Sequence, residues 1–308
     1  MSERQVLVTG ADGFVGTHLV RHLRAMGDDV IGIDRGHGDN VDITDAAAVS
    51  ALMAKLRPRA IYHLAGWADV GGSWKAPVAS FRVNAEGTMN VLAAATEAGV
   101  ERVLAVSSAD VYGKVDPSEL PLTEDSPLRP ASPYAVSKVA ADYLGLQAWL
   151  GRGLPVLRVR AFNHLGPGQT DKFVAPALAS RIARAERDGG DVLPIGDLSA
   201  RRDFTDVRDV VRAYRLLMEH GEPGEVYNVC SGTDLAVQDL ADQLLAQARI
   251  PLRFETDPEL LRPVEVPVLR GSHDRLTAAT GWEPEIPISQ TLTDVLEDWR
   301  ARVAAEAG

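Results

Sequence analysis

The chain has 308 residues, 45% hydrophobic and 24% charged, which suits one large or two modest domains around a substantial core. Its formal net charge of −11 excludes a general nucleic-acid or anionic-membrane surface, since either needs a basic face, and no apolar run approaches a membrane span.

The first expected element is a strand over Gln5–Thr9. Residues 1–4 lead straight into it, so no signal peptide is expected. The strand breaks at Gly10 and gives way to a helical pattern with Val15, Leu19, Val20 and Leu23 on one face. Strand, glycine turn and helix together make a dinucleotide cradle. Gly10 permits the turn, Gly13 lets a pyrophosphate approach the backbone, and Gly16 lets the helix pack close on the strand. The first helical turn, with Asp12, Phe14 and Val15 around it, offers N–H groups and a positive dipole end to phosphates. A second apolar run ends on Asp34, the place for a ribose-binding carboxylate. Further runs at 60–64, 103–107 and 156–159 alternate with helical patterns at Ala46–Leu56, 79–98 and 132–150. This alternation predicts β-α-β units and a parallel sheet covered on both faces, with ligands beyond the carboxyl ends of its strands.

After about residue 160 the regularity fades. Helical patterns at 173–187 and 237–247 mix with connections such as Gly166-Pro167-Gly168 and Arg262-Pro263, and 204–218 reads as a loop followed by a helix. Cys230 closes an apolar run, cannot form an internal disulfide and is expected to be buried. Trp282-Glu283-Pro284 precedes a last amphipathic helix over 288–303. The expected fold is α/β: a Rossmann-type doubly wound parallel sheet with a smaller mixed α/β substrate-binding domain. Residues 1–162 plus about 203–231 form the first part, 163–202 plus about 232–308 the second, and the site lies between them.

Tyr134 and Lys138 stand at i and i+4, so both lie on one face of a helix that starts after a proline-rich loop. A free phenol titrates near pH 10, and a neighbouring ammonium lowers that value toward the working range. Ser107 and Ser108 end a strand at the carboxyl edge of the sheet, where a hydroxyl can meet a substrate oxygen. His18 and His22 share the first helix but lack a third ligand. They are expected to be exposed, and no metal is expected. His63 is read as packed rather than catalytic, His164 is left aside, and Trp67 and Trp74 are read equally as packing or substrate contacts.

Taken in order, the Gly10-x-x-Gly13-x-x-Gly16 turn, Tyr62-His63-Leu64-Ala65-Gly66, the serine-rich strand end followed by Val111-Tyr112-Gly113, and Tyr134/Lys138 resemble the extended short-chain dehydrogenase/reductase family. Its members act mostly on nucleotide-linked sugars. The resemblance implies Ser108 as the catalytic hydroxyl, Tyr134 as acid/base, and Lys138 as its partner and a nicotinamide-ribose ligand. It places Leu64, Ala65, Gly66 and Asn84 at the cofactor and the Asp42-Ile43 pair at its adenine. Both NAD(H) and NADP(H) stay open, since Asp34 favours NAD while Arg35 can accept a 2′-phosphate.

Four runs in the second part, 161–169, 202–209, 227–232 and 261–267, resemble the family's GDP-mannose branch, most of all its reductases of GDP-4-keto-6-deoxy-D-mannose to GDP-D-rhamnose. That implies a GDP-sugar pocket lined by Ser108, Asp110, Asn163, Gln169, Val174, Arg202, Arg262 and Glu265. Guanidinium forks suit a diphosphate, and a carboxylate can accept from guanine. The branch's dehydratases carry a glutamate two residues before the Tyr-Gly pair. Here Ala109-Asp110 replaces that pattern and speaks against dehydration. The expected activity is NAD(P)H-dependent reduction of the 4-keto group of such a sugar. The alternatives are a nucleotide-sugar 4-epimerase, a GDP-mannose 4,6-dehydratase, and an NAD-binding sensor without chemistry. The N-terminal run, the lack of a membrane-length apolar run and the single cysteine make a cytoplasmic setting the expectation, and the resemblance implies a homodimer that pairs the helices over 79–98 and 132–150. Base identity and product stereochemistry stay open.

Overall fold

The computed structural model describes residues 5–35, 41–260 and 266–306. The first half runs β1 (Gln5–Thr9), α1 (Phe14–Ala25), β2 (Asp29–Ile33), α2 (Ala46–Leu56), β3 (Ala60–His63), α3 (Val70–Lys75) and α4 (Pro77–Phe81). A π-helical turn (Arg82–Glu86) then leads into α5 (Gly87–Ala98), β4 (Arg102–Ser108), α6 (Pro133–Arg152) and β5 (Val156–Ala161). The second half adds β6 (Asn163–Leu165), α7 (Val174–Asp188), β7 (Val192–Ile195), β8 (Arg201–Asp206), α8 (Val207–His220) and β9 (Val226–Val229). It closes with β10 (Asp234–Ala236), α9 (Val237–Leu245), β11 (Arg253–Thr256), β12 (Val268–Leu269), α10 (Asp274–Thr280) and α11 (Ile288–Ala305).

Six parallel strands form the main sheet in the order β2-β1-β3-β4-β5-β9. The chain leaves β1 to one side for β2 and returns on the other for β3, so a topological switch point lies beside the glycine turn. Side chains alternate between two apolar layers. Val6, Val8, Leu104 and Val159 pack with Leu19 and Leu23 of α1 and Val210, Tyr214 and Leu217 of α8. Leu7, Ile61, Val103 and Val156 pack with Leu52 and Met53 of α2 and Val91, Leu92 and Ala95 of α5. A strand buried on both faces reads as a continuous apolar run, which explains why these strands were visible in the sequence.

Helix boundaries follow from capping. Asp45 accepts from Ala48 N at the start of α2, and Ser132 accepts from Ala135 N ahead of Pro133 in α6. A separate core joins α7, α9 and α11 through Leu178, Ile182, Leu240, Leu244, Leu292 and Leu296. Beside it, β8 pairs with β6, β10 and β12. One expectation is corrected here: the first part of 204–218 is not a loop but the end of β8. Its polar residues Asp203, Thr205 and Asp206 are all buried, so the strand carries no apolar alternation. Leu276 and Trp282, late in the chain, join the core of the main sheet. Cys230 is buried and free. Among the described residues no helix is long and apolar enough to cross a membrane.

Candidate active site

The turn after β1 is built for close backbone approach. Gly10 has φ of +73°, and a Cβ there would stand 2.8 Å from Ala65 N. At Gly16 a Cβ would stand 2.0 Å from Gly10 O, so helix and turn touch backbone to backbone. Gly13 caps α1 with no side chain over the helix end, and Phe14 and Val15 form its half-buried first turn. Asp34 reaches the same turn, accepting from Asp12 N at 3.1 Å and from Arg35 N at 2.6 Å. Across the switch point, Leu64 N bonds to Thr9 O and Ala65 N to Thr9 Oγ1. At Gly66 a Cβ would meet Asn84 Oδ1 at 2.8 Å and Lys138 Nζ at 3.4 Å. Asp42 accepts from Thr44 N and its hydroxyl, which together hold its carboxyl low. Ile43 is buried against Gly87. A bare helix end, a carboxylate beside it and glycines at each close approach fit a dinucleotide.

Ser107 and Ser108 separate cleanly. Ser107 Oγ donates to Lys138 O at 3.0 Å and is committed to holding α6. Ser108 Oγ lies where β4 ends, accepts from Asp110 N and is bonded to Asp110 Oδ2 at 3.3 Å. It also faces the Tyr134 phenol closely enough to lower its pKa. Tyr134 is 7% exposed, and its backbone N–H donates to Ser73 Oγ. Burial pushes the phenol well above its usual range, the Asp110 charge adds to this, and the Ser108 hydroxyl opposes it. Lys138 Nζ donates to Val106 O at 2.9 Å, and burial brings its pKa down to about 8. This corrects the expected lowering of the phenol by the ammonium: desolvation, not that charge, dominates at Tyr134.

Asp110 is drawn toward the neutral form by burial, against the Ser108 bond and the Arg202 charge. Arg202 is half-buried, donates to Arg201 O and Pro267 O, and loses basicity on burial against the Asp110 charge. Asn163 is exposed at the start of β6, Val174 is half-buried at the start of α7, and Gln169 is buried with Oε1 unpartnered. Arg262 and Glu265 lie outside the described residues. The histidines of α1 differ from expectation. His18 is half-buried, donates to Pro167 O at 2.7 Å and meets Phe14 edge-on, and His22 is also half-buried. His164 stacks on Phe14. Trp67 Nε1 donates to Asp69 O, whereas Trp74 is 56% exposed.

Sequence reasoning missed a buried ion cluster below the catalytic helix. Asp142 follows Tyr134 and Lys138 on one face of α6 and receives Arg158 at 2.6 Å and Arg160 at 2.8 Å from β5. Arg160 also donates to the Tyr112 hydroxyl, in the turn that starts at Ser108. The signal was present: Arg158 and Arg160, on either side of Val159, interrupt an otherwise apolar strand.

The sequence model of the NAD dependent epimerase/dehydratase family matches residues 6–230. A GDP-6-deoxy-D-mannose reductase of Pseudomonas aeruginosa is 41% identical over 98% of this chain and 99% of its own length. A UDP-glucose 4-epimerase of Mycolicibacterium smegmatis is 31% identical over 96% of this chain and 98% of its own. Among solved structures, that of RMD from Pseudomonas aeruginosa complexed with NADPH superposes with a TM-score of 0.89 at 40% identity, covering 97% of this chain and 99% of that one. With the glycine cradle and the Ser108–Tyr134 pair already in place, these likenesses show that the chain belongs to the NAD dependent epimerase/dehydratase family, within the extended short-chain dehydrogenase/reductases.

Proposed function

We propose that the chain is an NAD(P)H-dependent reductase of a nucleotide-linked 4-keto-6-deoxy sugar, converting GDP-4-keto-6-deoxy-D-mannose to GDP-D-rhamnose. The observation that carries this reading is the state of Tyr134. It is buried one helical turn from Lys138 on α6, with the Ser108 hydroxyl at the end of β4 facing it, and burial keeps the phenol in its acid form. The near full-length likeness to a GDP-6-deoxy-D-mannose reductase supports the choice of sugar.

A reduced nicotinamide held by the glycine turn, Asp34 and Lys138 would supply the hydride. Ser108 orients the ketone oxygen, and Tyr134 gives its proton to the alkoxide as it forms. Lys138 holds the nicotinamide ribose and contributes positive charge. Asp34, Arg35, Asp42 and Ile43 serve the adenosine end, the glycine turn the pyrophosphate, and Leu64, Ala65, Gly66 and Asn84 the nicotinamide side. Asp110, Asn163, Gln169, Val174 and Arg202, with Arg262 and Glu265, serve the GDP-sugar. Residues 1–162 with about 203–231 act as the dinucleotide half and 163–202 with about 232–308 as the sugar half, with β8 and residues 274–282 as their seam.

A homodimer through α4, α5 and α6 is supported by the apolar side chains those neighbouring helices leave exposed: Val78, Phe81, Met89, Val136, Tyr143 and Leu150. A cytoplasmic setting suits NAD(P)H dependence and the free Cys230.

The experiment is absorbance of the reduced nicotinamide after mixing protein with GDP-4-keto-6-deoxy-D-mannose and NADPH or NADH. Stoichiometric oxidation is expected, falling about a thousandfold in Tyr134→Phe. The 31% identity to a UDP-glucose 4-epimerase keeps one rival alive. Purified protein that retains NAD and converts a nucleotide sugar without added reductant would establish that rival instead.

A further inference from the structure

Thr9, His63, Thr88, Asn84 and Ser137 form one hydrogen-bonded chain from the glycine turn to the catalytic helix, and none is more than 4% exposed. Its polarity follows from counting donors. The single hydroxyl proton of Thr88 goes to Asn84 O at 2.6 Å, so its Oγ1 accepts from His63 Nε2 at 3.1 Å. A neutral ring with its proton on Nε2 has an accepting Nδ1, so the Thr9 hydroxyl, which itself accepts from Ala65 N, donates to Nδ1 at 2.8 Å. The imidazole therefore carries its proton on Nε2 and a lone pair on Nδ1. Burial, with the Lys138 charge behind it, brings the ring pKa down to about 3, so this neutral state persists at any working pH.

Asn84 sits in the π-helical turn between α4 and α5. Thr88 holds its carbonyl. Its side chain accepts from Trp67 N at 2.8 Å and donates to Trp67 O at 3.2 Å and to Ser137 Oγ at 2.8 Å. Ser137 passes its own proton to Tyr134 O at 2.6 Å. The loop at 64–67 and the first turn of α6 thus hang from one asparagine, and that asparagine's turn hangs from His63.

We infer that His63 is a positioning residue that holds the Asn84 turn by donating from Nε2 to Thr88, and so sets the loop at 64–67 and the Tyr134 turn against the dinucleotide cradle. A histidine that merely fills the core would lower stability when replaced. It would not make activity depend on which ring nitrogen the replacement imitates.

The kinetic arm of the test rests on the reductase reading above; the spectroscopic arm does not. In ¹⁵N-labelled protein without cofactor, His63 should show the Nε2–H tautomer with no titration between about pH 6 and 9. An Nδ1–H tautomer or a protonated ring overturns the inference. His63→Gln places an amide N–H near the Nε2 position, whereas His63→Asn reaches only the Nδ1 position and loses Thr88. In His63→Asn the Kd for NADPH, read by nicotinamide fluorescence, should rise about tenfold and kcat fall about tenfold, with the sugar KM nearly unchanged. His63→Gln should stay within about threefold of wild type. Thr88→Val, which keeps the shape, should repeat the His63→Asn pattern and serves if that variant does not fold. Unchanged NADPH binding and kcat in Thr88→Val overturn the inference, as does equal impairment in the glutamine and asparagine variants. A protein with the expected tautomer and NADPH losses that reduces no sugar would sink the reductase reading and leave His63 in place.

Discussion

Folding takes the Lys138 ammonium to a position where the residue is only 8% exposed, and burial alone lowers its pKa from 10.5 to about 8. The folded state therefore favours the neutral amine more than the unfolded chain does. The charge is present below about pH 8 and lost above it. Between about pH 8 and 10.5 the unfolded chain binds more protons, so stability rises with pH across that window. Tyr134 moves the other way along the pH axis: its raised pKa keeps it a proton donor well past the point where Lys138 is neutral. The kcat/KM for the nicotinamide, which reports the free enzyme, should accordingly be level through neutrality and fall above about pH 8 with the loss of one proton. A fall beginning only near the phenol's range would remove Lys138 from that role. Keeping a cation here costs roughly 3 kcal/mol by the same shift, partly offset by its bond to Val106 O. Lys138→Met should thus hold or raise the melting temperature while lowering kcat at least about a hundredfold. A variant that loses both would point to a structural lysine.

At the scale of elements, α6 carries the chemistry and β5 holds it in register. Tyr134, Lys138 and Asp142 follow one another at four-residue steps, and Asp142 accepts two guanidiniums with no exposed surface of its own side chain. Removing one member strands the others' charge. Asp142→Ala should cost about 3–5 kcal/mol in urea unfolding, far more than a surface ion pair such as Arg59–Glu101. A loss below about 1 kcal/mol would show water reaching the arginines. The same elements show what the sequence could display. The five first strands and the long helices were legible because burial on both sheet faces writes continuous apolar runs, and the glycine turn and the Tyr134/Lys138 pair because their logic is local. β8 was hidden because Asp203 is satisfied by Ser231 N, Gly232 N and Gly271 N, partners that only tertiary structure supplies. Ser73 and the Thr88 partner of His63 were silent for the same reason: each contact joins residues that the sequence leaves remote.

At the scale of the molecule, the apolar stripe on α4, α5 and α6 should set the assembly. Leu150, 74% exposed, and Val78, 71% exposed, are the side chains most in need of cover. Sedimentation of the wild type should show a dimer, and Leu150→Glu together with Val78→Glu a monomer. A wild-type monomer would leave the stripe unexplained. The order in which the chain lays down its main sheet has another consequence. The sixth strand, β9, is synthesised only after β6, α7, β7, β8 and α8, yet it pairs with β5 along Arg158–Ala161. While a ribosome is still adding those intervening residues, β9 does not yet exist, and the β5 edge that it covers in the finished sheet has no strand to pair with. Arg158, which in the finished protein donates to Gly224 O, still lacks that partner. Nascent chains arrested before residue 226 should therefore be cut readily by protease along β5 and those arrested well past it should resist, so that protection arrives late and in one step during translation.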